Sequence, residues 1–67
     1  MDFRKRIGEN IDEVIRNSGK TKSLIAEKLG VKLSTIICYT KGRAVPSLES
    51  FYELCQILGC SYSDILD

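Results

Sequence analysis

The chain has 67 residues, 43% hydrophobic and 28% charged. This composition is typical of a folded domain. The length allows only one domain, since domains usually have about 100–200 residues. The longest apolar run is residues 36–39, and residues 1–6 lack an apolar stretch behind their charges, so we expect no membrane segment, no signal peptide and a cytoplasmic location. The net charge of +1 conceals a basic segment, residues 20–45, which carries six basic residues and one acidic residue.

The first predicted helix covers about residues 3–17, with Asp2 as its N-cap and Gly19 as its terminating residue. Its apolar stripe has helical spacing: Phe3, Ile7, Ile11, Val14 and Ile15.

The second predicted helix, residues 22–29, follows the N-cap Thr21 and stops at Gly30. Its stripe is Leu24, Ile25 and Leu29. A third helix covers about residues 33–41, turns Ile36 and Tyr39 inward, and stops at Gly42.

The fourth predicted helix, residues 48–58, is capped by Ser47 and closed by Gly59. Its stripe is Leu48, Phe51, Leu54, Cys55 and Leu58. Ser61 caps a last turn or two that ends at Leu66. No segment alternates as a strand does, so the expected fold class is all-α, a compact bundle of five short helices in a single domain over residues 1–67.

The spacing of the second and third helices is that of a helix-turn-helix over residues 21–41. Eight helical residues are followed by a corner at Gly30 and by nine more helical residues. Ala26 lies where the two helices would cross, and its small side chain lets the backbones approach.

These features resemble the Cro- and phage-repressor-type helix-turn-helix regulators, also called xenobiotic-response-element-type regulators. Over residues 7–66 the chain follows the family pattern T-x-x-x-L-A-x-x-x-G-V-x-x-S-T-I, then G-x-x-x-P-S-L, then L-G-x-S. The matching residues include Thr21, Ile25, Ala26, Gly30, Val31, Ser34, Thr35, Ile36, Gly42, Pro46, Ser47, Leu48, Leu58, Gly59 and Ser61.

The resemblance implies a lambda-repressor-like bundle that binds double-stranded DNA, usually as a homodimer, and regulates transcription. Helix 33–41 would be the recognition helix in the major groove. The positions implied for base readout are Lys32, Leu33, Ser34, Ile37 and Cys38. Those implied for phosphate contact are Thr21, Lys22, Ser23, Thr35, Lys41 and Arg43. Those implied for the dimer contact are Tyr62, Ile65 and Leu66.

Two departures from the family pattern are informative. Lys22 stands where the family usually has Gln, so it can hold a phosphate as a point charge without bidentate geometry. Ile15 and Thr40 replace a common buried Arg–Glu pair, and losing both partners together is nearly neutral for stability. We expect Ile15 and Thr40 to lie near each other between the first and third helices.

Leu33 and Ile37 suit thymine methyl groups, a weaker form of readout than the Arg–guanine or Asn–adenine pairing. The same apolar side chains fit an alternative function, a protein-interaction module such as an antitoxin-like or anti-regulator partner. The run of Arg4, Lys5 and Arg6 fits either a basic arm on DNA or a solvated helix face.

The three cysteines, at positions 38, 55 and 60, form no Cys-x-x-Cys pair, and the sequence contains no histidine. This composition disfavours a disulfide framework, mixed-ligand zinc sites and Ser-His-Asp or Cys-His catalysis. We expect no enzyme activity, no metal, no cofactor and no small-molecule ligand. Cys55 and Cys60 are interpreted as small buried apolar side chains.

Overall fold

A computed structural model describes residues 2–67, which contain five α-helices and no strand. The helices are α1 (Phe3–Ser18), α2 (Lys22–Leu29), α3 (Leu33–Thr40), α4 (Leu48–Leu58) and α5 (Tyr62–Leu66). The predicted all-α class and the predicted order of five helices are confirmed. The bounds differ only at the C-terminal ends of α1 and α3, each by one residue.

Local hydrogen bonds fix most helix starts at the predicted caps. The side chain of Asp2 accepts the N–H of Arg4 at 3.0 Å, and Thr21 Oγ1 accepts the N–H of Leu24 at 3.1 Å. Ser47 Oγ accepts the N–H of Ser50 at 3.2 Å. Each such bond satisfies an amide that the helix itself leaves without a partner.

All five helices contribute to one hydrophobic core. Its fully buried large side chains are Ile11, Ile25, Ile36, Leu54 and Ile65. Its remaining buried apolar members are Ile7, Ile15, Ala26, Leu29, Tyr39, Cys55 and Leu58. The inward position predicted for Ile36 and Tyr39 and the burial predicted for Cys55 are confirmed, whereas Cys60 is only half-buried.

Three apolar residues that the stripes placed inward are exposed instead. Phe3 is 60% exposed, Leu24 37% and Leu48 85%. Phe3 and Leu48 occupy the first positions of α1 and α4, and Leu24 lies in the first turn of α2. Periodicity assigns a face of a helix, but burial also requires a neighbouring helix at the same level.

The backbones of α1 and α3 meet at Gly8, with no side chain between them. A Cβ atom placed on Gly8 would lie 2.6 Å from the carbonyl oxygen of Tyr39, 2.7 Å from the nitrogen of Gly42 and 3.0 Å from the carbonyl oxygen of Thr40. Only glycine permits this approach. The contact sets the position of the C-terminal end of α3 relative to α1.

This contact also bears on the expected proximity of Ile15 and Thr40. The carbonyl of Thr40 lies against Gly8, two helical turns, or about 10 Å of helix, before Ile15. An ion pair between positions 15 and 40 would therefore need the full length of an arginine side chain.

The opposite side of α1 is joined to the C-terminal segment. Asn10 Nδ2 donates to the carbonyl oxygen of Ile65 at 2.7 Å, and the Arg6 guanidinium donates to the carbonyl oxygen of Asp67. Across residues 2–67, no helix combines the length and the apolar character needed to cross a membrane.

Candidate nucleic-acid interface

A tight turn at Gly30 fixes the geometry between α2 and α3. Gly30 adopts a left-handed conformation with φ of 76°, and its N–H and that of Val31 both donate to the carbonyl of Ala26, at 2.9 and 3.0 Å. These bonds satisfy carbonyls at the end of α2 and reverse the chain. Ala26 is buried, as expected for a small residue where two helices pack closely.

Helix α3 has one face in the core and one face in solvent. Ile36 and Tyr39 anchor it in the core. On the outward side, Leu33 is 42% exposed and Ser34 is exposed, while Ile37 and Cys38 are half-buried. The structure therefore leaves the predicted base-reading side chains of α3 accessible on one continuous strip.

Basic side chains flank this strip at both ends. Lys32 precedes α3 as its N-cap residue, and its side chain is exposed. Lys41 and Arg43 follow α3 and are exposed, whereas Thr35 is half-buried. The predicted phosphate contacts after α3 thus lie beside its C-terminal end.

The start of α2 presents a second group of predicted phosphate contacts, of which Thr21 and Ser23 are exposed. The first backbone amides of a helix have no intrahelical acceptor, and the helix dipole favours an anion there. Lys22, however, is not free, because its Nζ lies 3.3 Å from Oδ1 of Asp12. The other oxygen of Asp12 lies 3.4 Å from Nε of Arg16.

The predicted dimer contacts divide between surface and core. Tyr62 and Leu66 are 47% and 45% exposed, but Ile65 has no exposed surface and packs in the core of its own chain. The assignment of Ile65 to a dimer contact was wrong, because its side chain is fully buried in the core of its own chain, where α5 packs against α1.

Exposed apolar side chains form a larger surface around Tyr62 and Leu66, which we call the apolar face. It includes a groove of about 540 Å³ between α4 and α5 and a second groove of about 200 Å³ toward α1. Its members are Phe3, Val45, Leu48, Phe51, Tyr52, Tyr62 and Leu66. The rings of Phe51 and Tyr62 pack with centroids 5.2 Å apart. Phe3 and Leu48 were predicted to face the core, because both continue apolar stripes that are buried further along their helices.

The three cysteines occupy distinct environments. Cys55 is buried, and burial together with the neighbouring Cys60 raises the pKa of its thiol from 9.0 to about 12. Cys38 is half-buried on α3. Cys60 is half-buried beside Glu13 and Asp64, in a separate groove.

Comparisons with known proteins agree with this architecture. Residues 11–65 match the helix-turn-helix family. An uncharacterized HTH-type transcriptional regulator, y4dJ of Sinorhizobium fredii, is 30% identical over 66 residues, which cover 98% of this chain and 86% of that protein. The crystal structure of the clp gene regulator ClgR from C. glutamicum superposes with a TM-score of 0.91 at 26% identity, covering 98% of this chain and 85% of that one.

The chain therefore belongs to the helix-turn-helix family. The resemblance to the Cro- and phage-repressor-type regulators is confirmed.

Proposed function

We propose that the chain is a DNA-binding transcriptional regulator that places α3 in the major groove and binds DNA as a homodimer. The class of function follows from the family match and from the two relatives, both of which are named as regulators.

The observation that carries the proposal is the outward strip of α3. An exposed helix face bordered by basic side chains matches the major groove, which admits one α-helix between two phosphate backbones. Lys32 lies at one end of the strip, and Lys41 and Arg43 lie at the other. Glu27 is the one acidic residue among residues 20–45, so this segment carries a net positive charge.

The side chains on this strip suit readout of A·T-containing sequence. Leu33 and Ile37 are four residues apart on the same helical face and can meet thymine methyl groups. Ser34 can donate to or accept from base edges, and Lys32 can donate to guanine. Phosphate contacts from Thr21, Lys22, Ser23, Thr35, Lys41 and Arg43 would supply most of the affinity.

The cysteines provide a direct test of the binding face. Cys38 lies on α3, Cys60 lies in the separate groove with acidic neighbours, and Cys55 is a buried thiol with a raised pKa. We expect a bound duplex to slow modification of Cys38 by a maleimide without changing the rate at Cys60. Cys55 should remain unmodified in both conditions, because the thiolate is the reacting species.

Peptide mass analysis after timed labelling separates the three sites. Binding of the duplex is followed in parallel by fluorescence anisotropy at low salt. A duplex that is bound but leaves Cys38 as reactive as in the free protein would contradict insertion of α3. Protection of Cys60 alone would move the interface to the groove that contains Cys60.

The apolar face supports the homodimer. A small monomer rarely exposes so many neighbouring large apolar side chains unless they are covered by a partner. Leu48, 85% exposed at the start of α4, lies between Tyr62 and Phe3 on this surface. A two-fold pair would present two recognition helices to half-sites about 34–36 Å apart.

Leu48→Glu tests the dimer with little effect on folding. Leu48 contributes little to the core, and an acidic residue in the first turn of a helix is favourable. We expect this variant to sediment as a monomer and to lose the preference for two half-sites over one. Gln56→Glu is the matched control, since Gln56 is exposed on α4 outside both the apolar face and the predicted DNA contacts. Equal sedimentation of wild type and Leu48→Glu, with equal binding to one and two half-sites, would defeat the dimer.

A further inference from the structure

The first turn of α1 lies against the loop that follows the recognition helix. A Cβ atom on Gly42 would be 2.7 Å from Cα of Lys5 and 2.9 Å from the carbonyl oxygen of Arg4. Gly42 has φ of 72°, a conformation that favours glycine. With the contact at Gly8 one turn later, α1 and this loop touch backbone to backbone over slightly more than one helical turn.

This contact brings together basic side chains that are distant in the sequence. Lys41 and Arg43 flank Gly42 in the loop, while Arg4 and Lys5 begin α1 beside it. All four side chains are exposed.

Within residues 2–67, no carboxylate forms an ion pair with these four side chains, since the ion pairs join Asp12 to Arg16 and Lys22, away from the cluster. The nearest carboxylates along α1 are those of Asp2, which accepts the N–H of Arg4, and of Glu9, four residues after Lys5. Four exposed cations on one rigid surface outnumber these two carboxylates and attract a polyanion.

Arg6, the third basic residue of the run Arg4–Lys5–Arg6, does not belong to this cluster. The Arg6 guanidinium donates to the carbonyl oxygen of Asp67, on the side of α1 that packs against α5. The run Arg4–Lys5–Arg6 is therefore neither a flexible arm nor a uniform face. Two of its residues lie on the side of the recognition helix, and one lies on the side of the C-terminus.

We propose that Arg4 and Lys5 bind DNA backbone phosphates next to those contacted by Lys41 and Arg43. The first turn of α1 thereby becomes part of the DNA interface. This inference rests on the proposed function, since it requires the loop after α3 to lie on DNA. The backbone contact at Gly42 supplies the position, because it fixes the start of α1 relative to the loop.

The test is the salt dependence of binding to one fluorescent duplex, measured by anisotropy. Each lost phosphate contact lowers the slope of log K against log salt by about 0.9 on B-form DNA. We expect the double variant Arg4→Gln, Lys5→Gln to lower the slope by about twice that amount. Arg6→Gln, which removes one charge from the same turn of α1, should leave the slope unchanged. Arg4→Lys with Lys5→Arg should keep the wild-type slope.

Lys41→Gln separates this inference from the proposed function. A lowered slope for Lys41→Gln with a wild-type slope for Arg4→Gln, Lys5→Gln would overturn the role of α1 and leave the proposed function intact. An equal loss of slope per charge removed for Arg6→Gln and the double variant would also overturn it, because the effect would then be net charge alone. Absence of duplex binding by wild type at low salt would overturn both.

Discussion

Gly8→Ala is expected to destabilise the protein, although alanine is the better helix former. At an exposed helical position this substitution adds about 1 kcal/mol of stability. Gly8, however, is buried in α1 against α3. The added Cβ would lie 2.6 Å from the carbonyl oxygen of Tyr39 and 2.7 Å from the nitrogen of Gly42.

The magnitude follows from what must move. Both contacted atoms belong to the backbone, so no side-chain rotation relieves them, and α1 must move away from α3 by roughly 0.8 Å to reach ordinary contact. A gap of this size weakens dispersion contacts between the helices, and overpacking of this kind costs about 1–3 kcal/mol. Because both contacts are with backbone, we take the upper part of that range, about 2–3 kcal/mol. After the gain of about 1 kcal/mol in helix propensity, we expect a net loss of about 1–2 kcal/mol and a fall in Tm of about 5–15 °C.

Urea unfolding followed by circular dichroism measures this change, with thermal melts as a second readout. The neighbouring Glu9 is exposed and provides the control, because Glu9→Gly and Glu9→Ala report the propensity difference in the same helix. Alanine should be the more stable residue at position 9 and glycine the more stable residue at position 8. If Gly8→Ala matched or exceeded wild type in stability, the close approach of α1 and α3 would be refuted.

Further predictions concern DNA binding and the core. Leu33→Ala should cost about 1 kcal/mol at an A·T position, and replacing that thymine by uracil should weaken wild type but not the variant; equal tolerance of uracil would exclude the methyl contact. Asp12→Asn should tighten duplex binding, because it frees Lys22 from its ion pair. Lys22→Ala should lower the slope of log K against log salt by about 0.9 and cancel the gain in affinity from Asp12→Asn. A gain that persists without Lys22 would show that Asp12 acts through another residue. Ile15→Arg should lower the free energy of unfolding in urea by about 3–5 kcal/mol, because it buries an unpaired charge. Adding Thr40→Glu should recover much of that loss. Additive losses in the double variant would mean that positions 15 and 40 are not partners.

The sequence by itself determined the helices, their caps and the helix-turn-helix. These features depend on interactions within a few residues. Thr21 caps α2 because its hydroxyl reaches the third following amide, and Gly30 ends it because glycine adopts the left-handed conformation. The inward positions of Ile36 and Tyr39 follow from helical periodicity around a short helix with one buried face.

The tertiary structure alone decided which ends of the stripes are covered and which backbones touch. Leu48 and Ile65 both continue apolar patterns, yet one is 85% exposed and the other has no exposed surface. Burial depends on whether another helix passes at that level, and a stripe on one helix carries no information about its neighbours. For the same reason, nothing in the local pattern distinguished Gly8, whose role arises only where α1 meets α3 and Gly42.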